Sequence, residues 1–349
     1  MRVCVTGCAG SIGLEVVSQC LDAGIDVEGI DALVPNEHLA LQRWRLQQLL
    51  GRSGFRFHPI DITDPAAVER VFTVDAAQST VSAAARFDGV IHLAAVSNVA
   101  ESIEDPFRTY KTNVLGTLSM LDACAMAGVG HFVLASSASV YGGREMSVSN
   151  NKTDRRETHP SSELEPAGRM LSPYAASKKA AEDLCKLYQQ MYGFDAAILR
   201  YFAPYGPAGR PDMSVLRFIQ RISEGKPVHV YGKGNQLRDY CFVGDIARGT
   251  LAALKVSGFE IINLGGGNPV TVVDMLSHLE RLLGKKAKRI HMSPPPGDVE
   301  ISWASIDKAR IVLDWTPQIS LDEGLRQTIA WDHLQRAQFG NGWMRSVDC

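Results

Sequence analysis

The sequence predicts an α/β protein: a Rossmann-type, doubly wound parallel sheet followed by a smaller C-terminal substrate-binding lobe. In the first half of the chain, short β-branched runs alternate with segments long enough for helices, which is the βαβ pattern. The first run, RVCVT, leads directly into glycines at positions 7, 10 and 13. After Pro204 the periodic segments become shorter, which indicates a second lobe.

Six strands are predicted before the change of pattern. They are RVCVT, DVEGI, FRFHPI, GVIHLA, HFVLAS and DAAILRYF. A helix from about Tyr174 to Tyr192 precedes the sixth strand. We expect residues 1–203 to form the sheet domain, with some later segments returning to it, and residues 204–349 to form most of the second lobe.

The second lobe is predicted to combine short strands with helices. The strands fall at VHVY and DYCF, and the helices near 212–224, 245–255, 271–283 and 321–338. A polar stretch from Gly142 to Ser172 is predicted to be a long loop at the end of the fifth strand. Ligands of open α/β folds bind at this end of the strands.

Composition excludes several classes of function. The chain of 349 residues is 45% hydrophobic and 21% charged, and its net charge of −2 favours neither nucleic acid nor an anionic membrane as a partner. No apolar run reaches the ~20 residues of a membrane span, and a strand pattern beginning at residue 2 leaves no room for a signal peptide. We therefore expect a cytoplasmic protein. The seven scattered cysteines lack C-x-x-C spacing, so we predict reduced packing residues and no metal site.

The glycines after the first strand indicate a dinucleotide site. Gly7, Gly10 and Gly13 allow a tight turn, and backbone N–H groups can then approach a pyrophosphate at the start of the next helix. Asp31 ends the second strand, where a carboxylate accepts hydrogen bonds from the adenosine ribose and repels a 2′-phosphate. The sequence therefore predicts NAD rather than NADP. Asp61, after the third strand, either reaches the adenine or caps the helix at TDPAAVE.

A tyrosine and a lysine stand four residues apart in YAASK, at the start of a predicted helix. This spacing puts Tyr174 and Lys178 on one helix face, where an ammonium favours a phenolate and lowers the pKa of the phenol. Ser137, at the end of the fifth strand, could share a substrate hydroxyl with Tyr174. The alternative for such a pair is an ordinary surface contact.

These motifs occur in the order of a known family. From the glycine loop through HLAA, NVLGT, SSASVYGG, YAASK and RYF to LRDYCFVGDI and PGDV, the chain resembles the extended short-chain dehydrogenase/reductases, specifically the nucleotide-sugar epimerases and dehydratases. GRPDM and PGDV look most like the UDP-glucuronate 4-epimerases. The resemblance implies epimerisation of UDP-glucuronate to UDP-galacturonate through a 4-keto intermediate, with NAD retained.

The resemblance also implies the site residues. Ser137, Tyr174 and Lys178 would be catalytic, while Ser137 and Arg210 would meet the sugar, Arg210 at its carboxylate. Arg238 and Asp298 would contact the diphosphate and ribose of the uridine nucleotide. The cofactor would contact Gly7, Gly10, Ser11, Ile12, Gly13, Asp31, Asp61, Ile62, Leu93, Ala94, Ala95, Asn113, Tyr174 and Lys178. Arg200, in RYF, is predicted to be structural.

Some positions depart from the glucuronate pattern. Residues 97–102 read SNVAES where glucuronate epimerases commonly read AGVRYS, and this looks closer to the galactose epimerases. Ala203 argues against UDP-glucose 4-epimerases, which usually have asparagine there, and Ser139 argues against the decarboxylases and dehydratases. UDP-glucose or UDP-N-acetylglucosamine 4-epimerase remains the alternative. A non-catalytic NAD-binding sensor is the rival from another class.

The family also implies a homodimer. Its members usually pair through two long helices, which fall near 103–127 and 174–192 in this chain. The second carries Leu184, Leu187, Tyr188 and Met191 at helical spacing. These side chains would either form the dimer interface or face the sheet.

Overall fold

The computed structural model describes residues 1–35, 38–73, 87–143 and 159–340. Fourteen strands occur in the described residues: β1 (Arg2–Thr6), β2 (Asp26–Ile30), β3 (Phe55–His58), β4 (Gly89–His92), β5 (His131–Ser137), β6 (Asp195–Tyr201), β7 (Pro204–Tyr205), β8 (Pro227–Tyr231), β9 (Leu237–Arg238), β10 (Cys241–Phe242), β11 (Phe259–Leu264), β12 (Val270–Thr271), β13 (Lys288–Met292) and β14 (Ile301–Ser302). Twelve α-helices accompany them: α1 (Ser11–Asp22), α2 (Leu39–Leu49), α3 (Pro65–Phe72), α4 (Val99–Glu104), α5 (Pro106–Tyr110), α6 (Gly116–Ala127), α7 (Pro173–Tyr192), α8 (Ser214–Ser223), α9 (Val243–Ala252), α10 (Val272–Leu283), α11 (Asp307–Leu313) and α12 (Leu321–Phe339).

A seven-stranded parallel sheet lies at the centre, in the order β11-β6-β5-β4-β1-β2-β3. The predicted Rossmann-type sheet and its six strands are confirmed. The seventh strand, Phe259–Leu264, comes from the second half of the chain and pairs with β6. The sequence prediction omits this strand, FEIINL, which lies among the short pieces of the second lobe and is followed by glycines at 265–267.

Both faces of the sheet are covered, as the continuous apolar character of its strands requires. Val3 and Val5 of β1 belong to a core layer that includes residues of α1 and α9. Cys4 points to the opposite layer, which includes residues of α3, α6 and α7. The alternation along one strand therefore assigns the helices to the two faces. Because all seven strands are parallel, their carboxyl ends lie at one edge of the sheet.

Residues that commonly start and end helices lie at the two ends of α7. The Ser172 side chain caps the helix by accepting a hydrogen bond from Ala175 N, and Pro173 occupies the first turn. The helix ends at Tyr192 and is followed by Gly193, whose φ of 77° is left-handed. These signals fix Tyr174 in the first turn, beside the open edge of the sheet.

The long helix predicted near 103–127 is instead broken. Proline at position 106 cannot donate to the preceding turn, and Asp105 caps a new helix by accepting from Arg108 N. A π-helical turn, Lys111–Leu115, then leads into α6. At the start of α6, a Cβ on Gly116 would lie 2.6 Å from Ile62 Cδ1, so a larger residue there would require the Ile62 side chain to move.

The second lobe has its own core, formed by α8, α10 and α12 with the small sheets around β8 and β10. Part of the predicted loop 142–172, residues 144–158, lies outside the described residues. The described end of this loop is hydrogen-bonded to the second lobe. Ser161 N donates to Trp303 O at 2.7 Å, and Ser305 N donates to Ser161 O at 2.9 Å. Among the described residues, no helix is both long enough and apolar enough to cross a membrane.

Candidate active site

The glycine loop forms a cradle between β1 and α1. Gly7 has a φ of 69°, and a Cβ there would lie 2.8 Å from Ala94 N. A Cβ on Gly13 would lie 2.0 Å from Gly7 O. Glycine is thus required both by the turn and by the close approach of α1 to the loop. The first-turn N–H groups of α1 have no partner within a helix, so this cradle suits a pyrophosphate.

Asp31, which follows β2, is hydrogen-bonded to the glycine loop. Its carboxylate accepts hydrogen bonds from Ala9 N at 3.1 Å and from Leu33 N at 3.0 Å. Burial raises the pKa of Asp31, while the two backbone N–H groups and the charge of Arg45 oppose this. Free lone pairs on the two oxygens leave the carboxylate able to accept ribose hydroxyls as well.

Arg45 is a site residue that sequence reasoning missed. It is 1% exposed, and it donates from Nε to Ala208 O at 2.8 Å and from Nη1 to Ala9 O at 3.3 Å. Its Nη2 has no hydrogen-bond partner among the described residues, and the side chain lines the same cavity as the glycine loop. A buried guanidinium with a spare donor beside the loop fits an anionic ligand such as a pyrophosphate. Only the fold reveals this, because α2 carries no sequence signal at position 45.

Asp61 also lines this cavity. Its Oδ1 accepts from Thr63 N at 2.8 Å, and the cap of α3 is Asp64, which accepts from Ala67 N. The cap alternative for Asp61 is therefore wrong, because Asp64 has that position. Contact between Asp61 and the adenine stays a prediction.

All predicted cofactor residues except one line a single cavity of about 410 Å³. The exception is Asn113, which is buried in the π-helical turn. Its amide exchanges hydrogen bonds with the backbone of Val96, accepting from N at 2.8 Å and donating to O at 2.9 Å, and it also donates to Ser177 Oγ at 2.9 Å. The structure places it behind the cavity wall, where it joins the loop after β4 to α7.

Tyr174 and Lys178 both line this cavity, as the helix spacing predicts. Lys178 is buried and donates from Nζ to Ala135 O at 2.8 Å. Burial lowers the pKa of Lys178 to about 8, and the charge of Glu182 opposes this shift. The helix spacing therefore correctly places both side chains on one face, toward one cavity.

The sequence predicts that the pKa of Tyr174 is lowered. This prediction is wrong when only the protein's own groups act on the phenol. Burial raises this pKa, and the groups that oppose the shift are a hydrogen bond with Ser137 and the charge of Arg210. The ammonium of Lys178 is directed to a backbone carbonyl instead. Sequence spacing could not show how deeply the phenol is buried or that an arginine 36 positions away faces it.

A second cavity, of about 440 Å³, adjoins the first. Ser137, Arg210, Arg238 and Asp298 line it, as does Tyr174, so the tyrosine stands at the boundary between the two cavities. Arg238 donates from Nη2 to Asp298 Oδ1 at 2.5 Å, and these two predicted nucleotide contacts therefore form one ion pair. Ser139 Oγ, on the same wall, is buried without a partner among the described residues.

Arg210 also lines both cavities. It donates from Nε and Nη2 to the two carboxylate oxygens of Asp212, at 3.0 and 2.6 Å, and from Nη1 to Ser97 Oγ at 2.7 Å. Burial raises the pKa of Tyr174, and the positive charge of Arg210 is one of the groups that oppose this rise. The cation is therefore placed beside the reacting end of any ligand that spans the boundary.

Arg200 is buried and pairs with Glu182 of α7 through two hydrogen bonds, at 2.9 and 2.8 Å. Glu182 also accepts from Ser136 Oγ at 2.6 Å. The guanidinium stacks on Tyr141 with 4.7 Å between its central carbon and the ring centre. The structural role predicted for Arg200 fits this network, which fixes β5 and β6 against the helix of Tyr174. Among the described residues, no group of three or more His, Cys, Asp or Glu side chains could hold a metal ion.

Comparison with known proteins places this architecture in a family. The model of the NAD dependent epimerase/dehydratase family matches residues 3–265. The chain is 44% identical over 328 residues to a UDP-glucuronate 4-epimerase of Thermodesulfobacterium geofontis, with 94% of each chain covered.

Two solved structures share the fold over 96% of this chain and 99% of theirs, each with a TM-score of 0.83. One is the UDP-glucuronic acid 4-epimerase of Bacillus cereus in complex with UDP-glucuronic acid and NAD, at 32% identity. The other is the UDP-glucose 4-epimerase of Thermotoga maritima with UDP-glucose, at 30% identity. The family match covers most of the chain, including the glycine loop, Ser137, Tyr174, Lys178 and Arg210: this protein belongs to the NAD dependent epimerase/dehydratase family.

Proposed function

We propose that the protein is a UDP-glucuronate 4-epimerase that uses bound NAD to interconvert UDP-glucuronate and UDP-galacturonate. The observation that carries the proposal is the boundary between the two cavities. A partly buried phenol, Tyr174, stands there, and Arg210, whose positive charge acts on the phenol, lines both cavities as well. The similarity to curated and solved UDP-glucuronate 4-epimerases supports the same substrate.

The residues of the first cavity fit NAD. The glycine cradle and the spare donor of Arg45 suit its pyrophosphate, and Asp31 suits its adenosine ribose and disfavours a 2′-phosphate. Bound NAD supplies the hydride acceptor and donor, together with a positively charged nicotinamide ring. Asp61 and Ile62, with residues 93–95 after β4, complete the wall of this cavity.

Tyr174 is the general base. As a phenolate it takes the proton of the sugar 4-hydroxyl while hydride leaves C4, and it returns that proton once the 4-keto sugar has turned and been reduced on its other face. Ser137 hydrogen-bonds the phenol and is placed to share the same substrate oxygen. Lys178 holds positive charge in the cofactor cavity near neutral pH, since its pKa is about 8.

Arg210 holds the sugar carboxylate. Oxidation at C4 makes a β-keto acid, in which the C5–C6 bond can break: its electron pair passes toward the C4 carbonyl as an enolate, carbon dioxide leaves, and C5 later takes a proton. A guanidinium that holds the carboxylate fixes its orientation and stabilises the charge that this loss would remove. Arg210 therefore protects the intermediate as well as binding the substrate.

A neutral UDP-hexose is the second candidate substrate. Asp212 already neutralises the charge of Arg210, so a sugar without a carboxylate would leave no unpaired cation in the cavity. In either case, the paired side chains of Arg238 and Asp298 are placed for the diphosphate and ribose of the nucleotide.

We also propose a homodimer. Leu187 and Met191 of α7 are 48% and 60% exposed, and Phe107 and Leu115 on the neighbouring segment are 88% and 55% exposed. Leu184 and Tyr188 pack against the sheet core instead, so the predicted stripe divides between both roles. Apolar side chains exposed together on adjacent helices are typical of an interface between copies.

The two parts of the chain bind different ligands, one in each cavity. Residues 1–203, joined by β11, hold the cofactor, and residues 204–349 supply most of the nucleotide-sugar side. The protein acts in the cytoplasm, where UDP-sugars and NAD are both present.

The test is incubation of the purified protein with UDP-glucuronate, UDP-glucose or UDP-N-acetylglucosamine, with no added NAD. Mass spectrometry and chromatography should show UDP-galacturonate formed fastest from UDP-glucuronate, and denaturation should release NAD. Preferential conversion of a neutral sugar would instead establish the second candidate, and release of NADP would refute the cofactor assignment.

A further inference from the structure

The guanidinium of Arg210 is bound by a neighbouring carboxylate along one of its edges. A guanidinium carries five N–H donors in a plane, and the pair on Nε and Nη2 forms one edge. In this protein, both donors of that edge are occupied by the carboxylate of Asp212. Ser97 Oγ takes one donor of Nη1. One N–H on each terminal nitrogen is left over from these contacts among the described residues, and such a pair can bind a second carboxylate end-on.

Asp212 is itself fixed by two further groups. Asn98 Nδ2 donates to Oδ2 at 2.9 Å, and His38 Nε2 lies 3.5 Å from Oδ1. The donors around it outweigh the cost of burial, so the pKa of Asp212 is lowered and its carboxylate stays ionised at neutral pH. The edge contact with Arg210 is therefore an ion pair with a fixed orientation.

Two of these contacts come from positions where the chain departs from the glucuronate pattern. Ser97 and Asn98 stand where those enzymes commonly read Ala-Gly. In this fold, the first supports Arg210 and the second supports Asp212. The SNVAES segment, which in sequence looks closer to the galactose epimerases, thus provides side chains that hold the arginine and its aspartate.

We propose that Asp212 is a positioning residue that, with Ser97 and Asn98, holds Arg210 by one edge and presents its opposite end to the sugar carboxylate. This inference rests on the proposed function and deepens it. Asp212 acts through Arg210 and does not touch the sugar. Its role is to keep the guanidinium in the one orientation that binds C6 by two hydrogen bonds, and thereby to suppress decarboxylation.

The experiment is a double-mutant cycle of Asp212→Asn and Arg210→Ala. For each protein, kcat/KM is measured with UDP-glucuronate and with UDP-glucose, and the ratio of UDP-galacturonate to decarboxylated UDP-pentose is measured by mass spectrometry. Asp212→Asn alone should lower the preference for UDP-glucuronate about 10-fold, the effect of one charged hydrogen bond, and raise the pentose fraction. In the Arg210→Ala background, Asp212→Asn should change the preference by less than about 2-fold, because its partner is already gone.

Two further variants separate an effect on the orientation of Arg210 from a general effect on protein stability. Ser97→Ala removes the third contact of Arg210 and should shift both readouts in the same direction by a smaller factor. Asp332→Asn is the matched control: Asp332 also accepts from an arginine, Arg336, at 2.6 Å, but it lies on α12 outside both cavities. It should leave the substrate preference and the pentose fraction unchanged even if it lowers the melting temperature.

The outcomes distinguish the two proposals. A parent protein that converts neutral UDP-hexoses and fails to convert UDP-glucuronate overturns the proposed function and this inference together. A parent that makes UDP-galacturonate, with an Asp212→Asn variant of unchanged preference and unchanged pentose fraction, overturns this inference alone. Equal effects of Asp212→Asn in both backgrounds would also overturn it, since Asp212 would then act without Arg210.

Discussion

Removing the guanidinium in Arg210→Ala tests the substrate assignment most directly. The variant loses three hydrogen bonds of the free protein, two to Asp212 and one to Ser97, and leaves an aspartate without its cation. It also removes a positive charge that opposes the raised pKa of Tyr174. Part of the loss in rate will therefore be common to every substrate, because less phenolate is present at neutral pH.

The ratio between substrates removes that common part. With UDP-glucuronate, the variant additionally loses a charged contact to the carboxylate, about 1.5–3 kcal/mol. Since 1.4 kcal/mol is tenfold, kcat/KM for UDP-glucuronate should fall roughly 10- to 150-fold further than kcat/KM for UDP-glucose. Lysine at position 210 should restore only part of this, because an ammonium cannot hold a carboxylate by two parallel bonds.

The assay measures both rates across a range of pH and analyses the products by mass spectrometry. The rise in activity with pH should move to higher pH for both substrates, since the pKa of Tyr174 rises further without Arg210. A decarboxylated UDP-pentose should appear from UDP-glucuronate only. The reasoning is refuted if Arg210→Ala retains the parent's preference for UDP-glucuronate and makes no pentose.

Other substitutions test the remaining parts of the site. Tyr174→Phe should cost roughly 10²- to 10⁴-fold in turnover while NAD stays bound, measured by steady-state rates and released nucleotide, and near-normal turnover would show that the phenol is not the base. Asp31→Asn should narrow the preference for NAD over NADP in a binding titration, whereas an unchanged preference would place the selectivity elsewhere. Gly13→Ala should abolish NAD binding and destabilise α1, because the added methyl overlaps Gly7 O; a folded, NAD-loaded variant would contradict this. Light scattering at low micromolar concentration should give a dimer that Leu187→Glu dissociates, and a monomeric parent would refute the proposed interface.

Much of the cofactor side could be predicted from the sequence because its signals are local. The turn at Gly7, the start of α1 and the helix spacing of Tyr174 and Lys178 each depend on residues a few positions apart. Backbone sterics and helix periodicity act at that range, so a short motif fixes the geometry. The predicted contacts fall along one cavity for this reason.

The parts that could not be predicted depend on distant pairs. Strand β11 joins the sheet beside β6 from about 60 positions away, and its six residues resemble many short apolar runs. Arg45 reaches the glycine loop only because α2 packs against α1. Both features depend on tertiary packing, which propensity and periodicity do not encode. The break at Pro106 is different, because Asp105 and Pro106 are a local signal that the predicted long helix does not take into account.

The pKa of Tyr174 cannot be predicted from the Tyr-Lys motif alone, because residues distant in the sequence act on the phenol. The Tyr-Lys spacing predicts a lowered pKa, yet burial of the first turn of α7 raises it, and the cation that opposes the shift is Arg210 from the second lobe. The same guanidinium is held by Asp212 and Ser97, so the base, the carboxylate contact and the substrate preference share one charge. A change at any of these positions should therefore alter both the pH profile and the choice of substrate, and mutational effects at the boundary of the two cavities should not be additive.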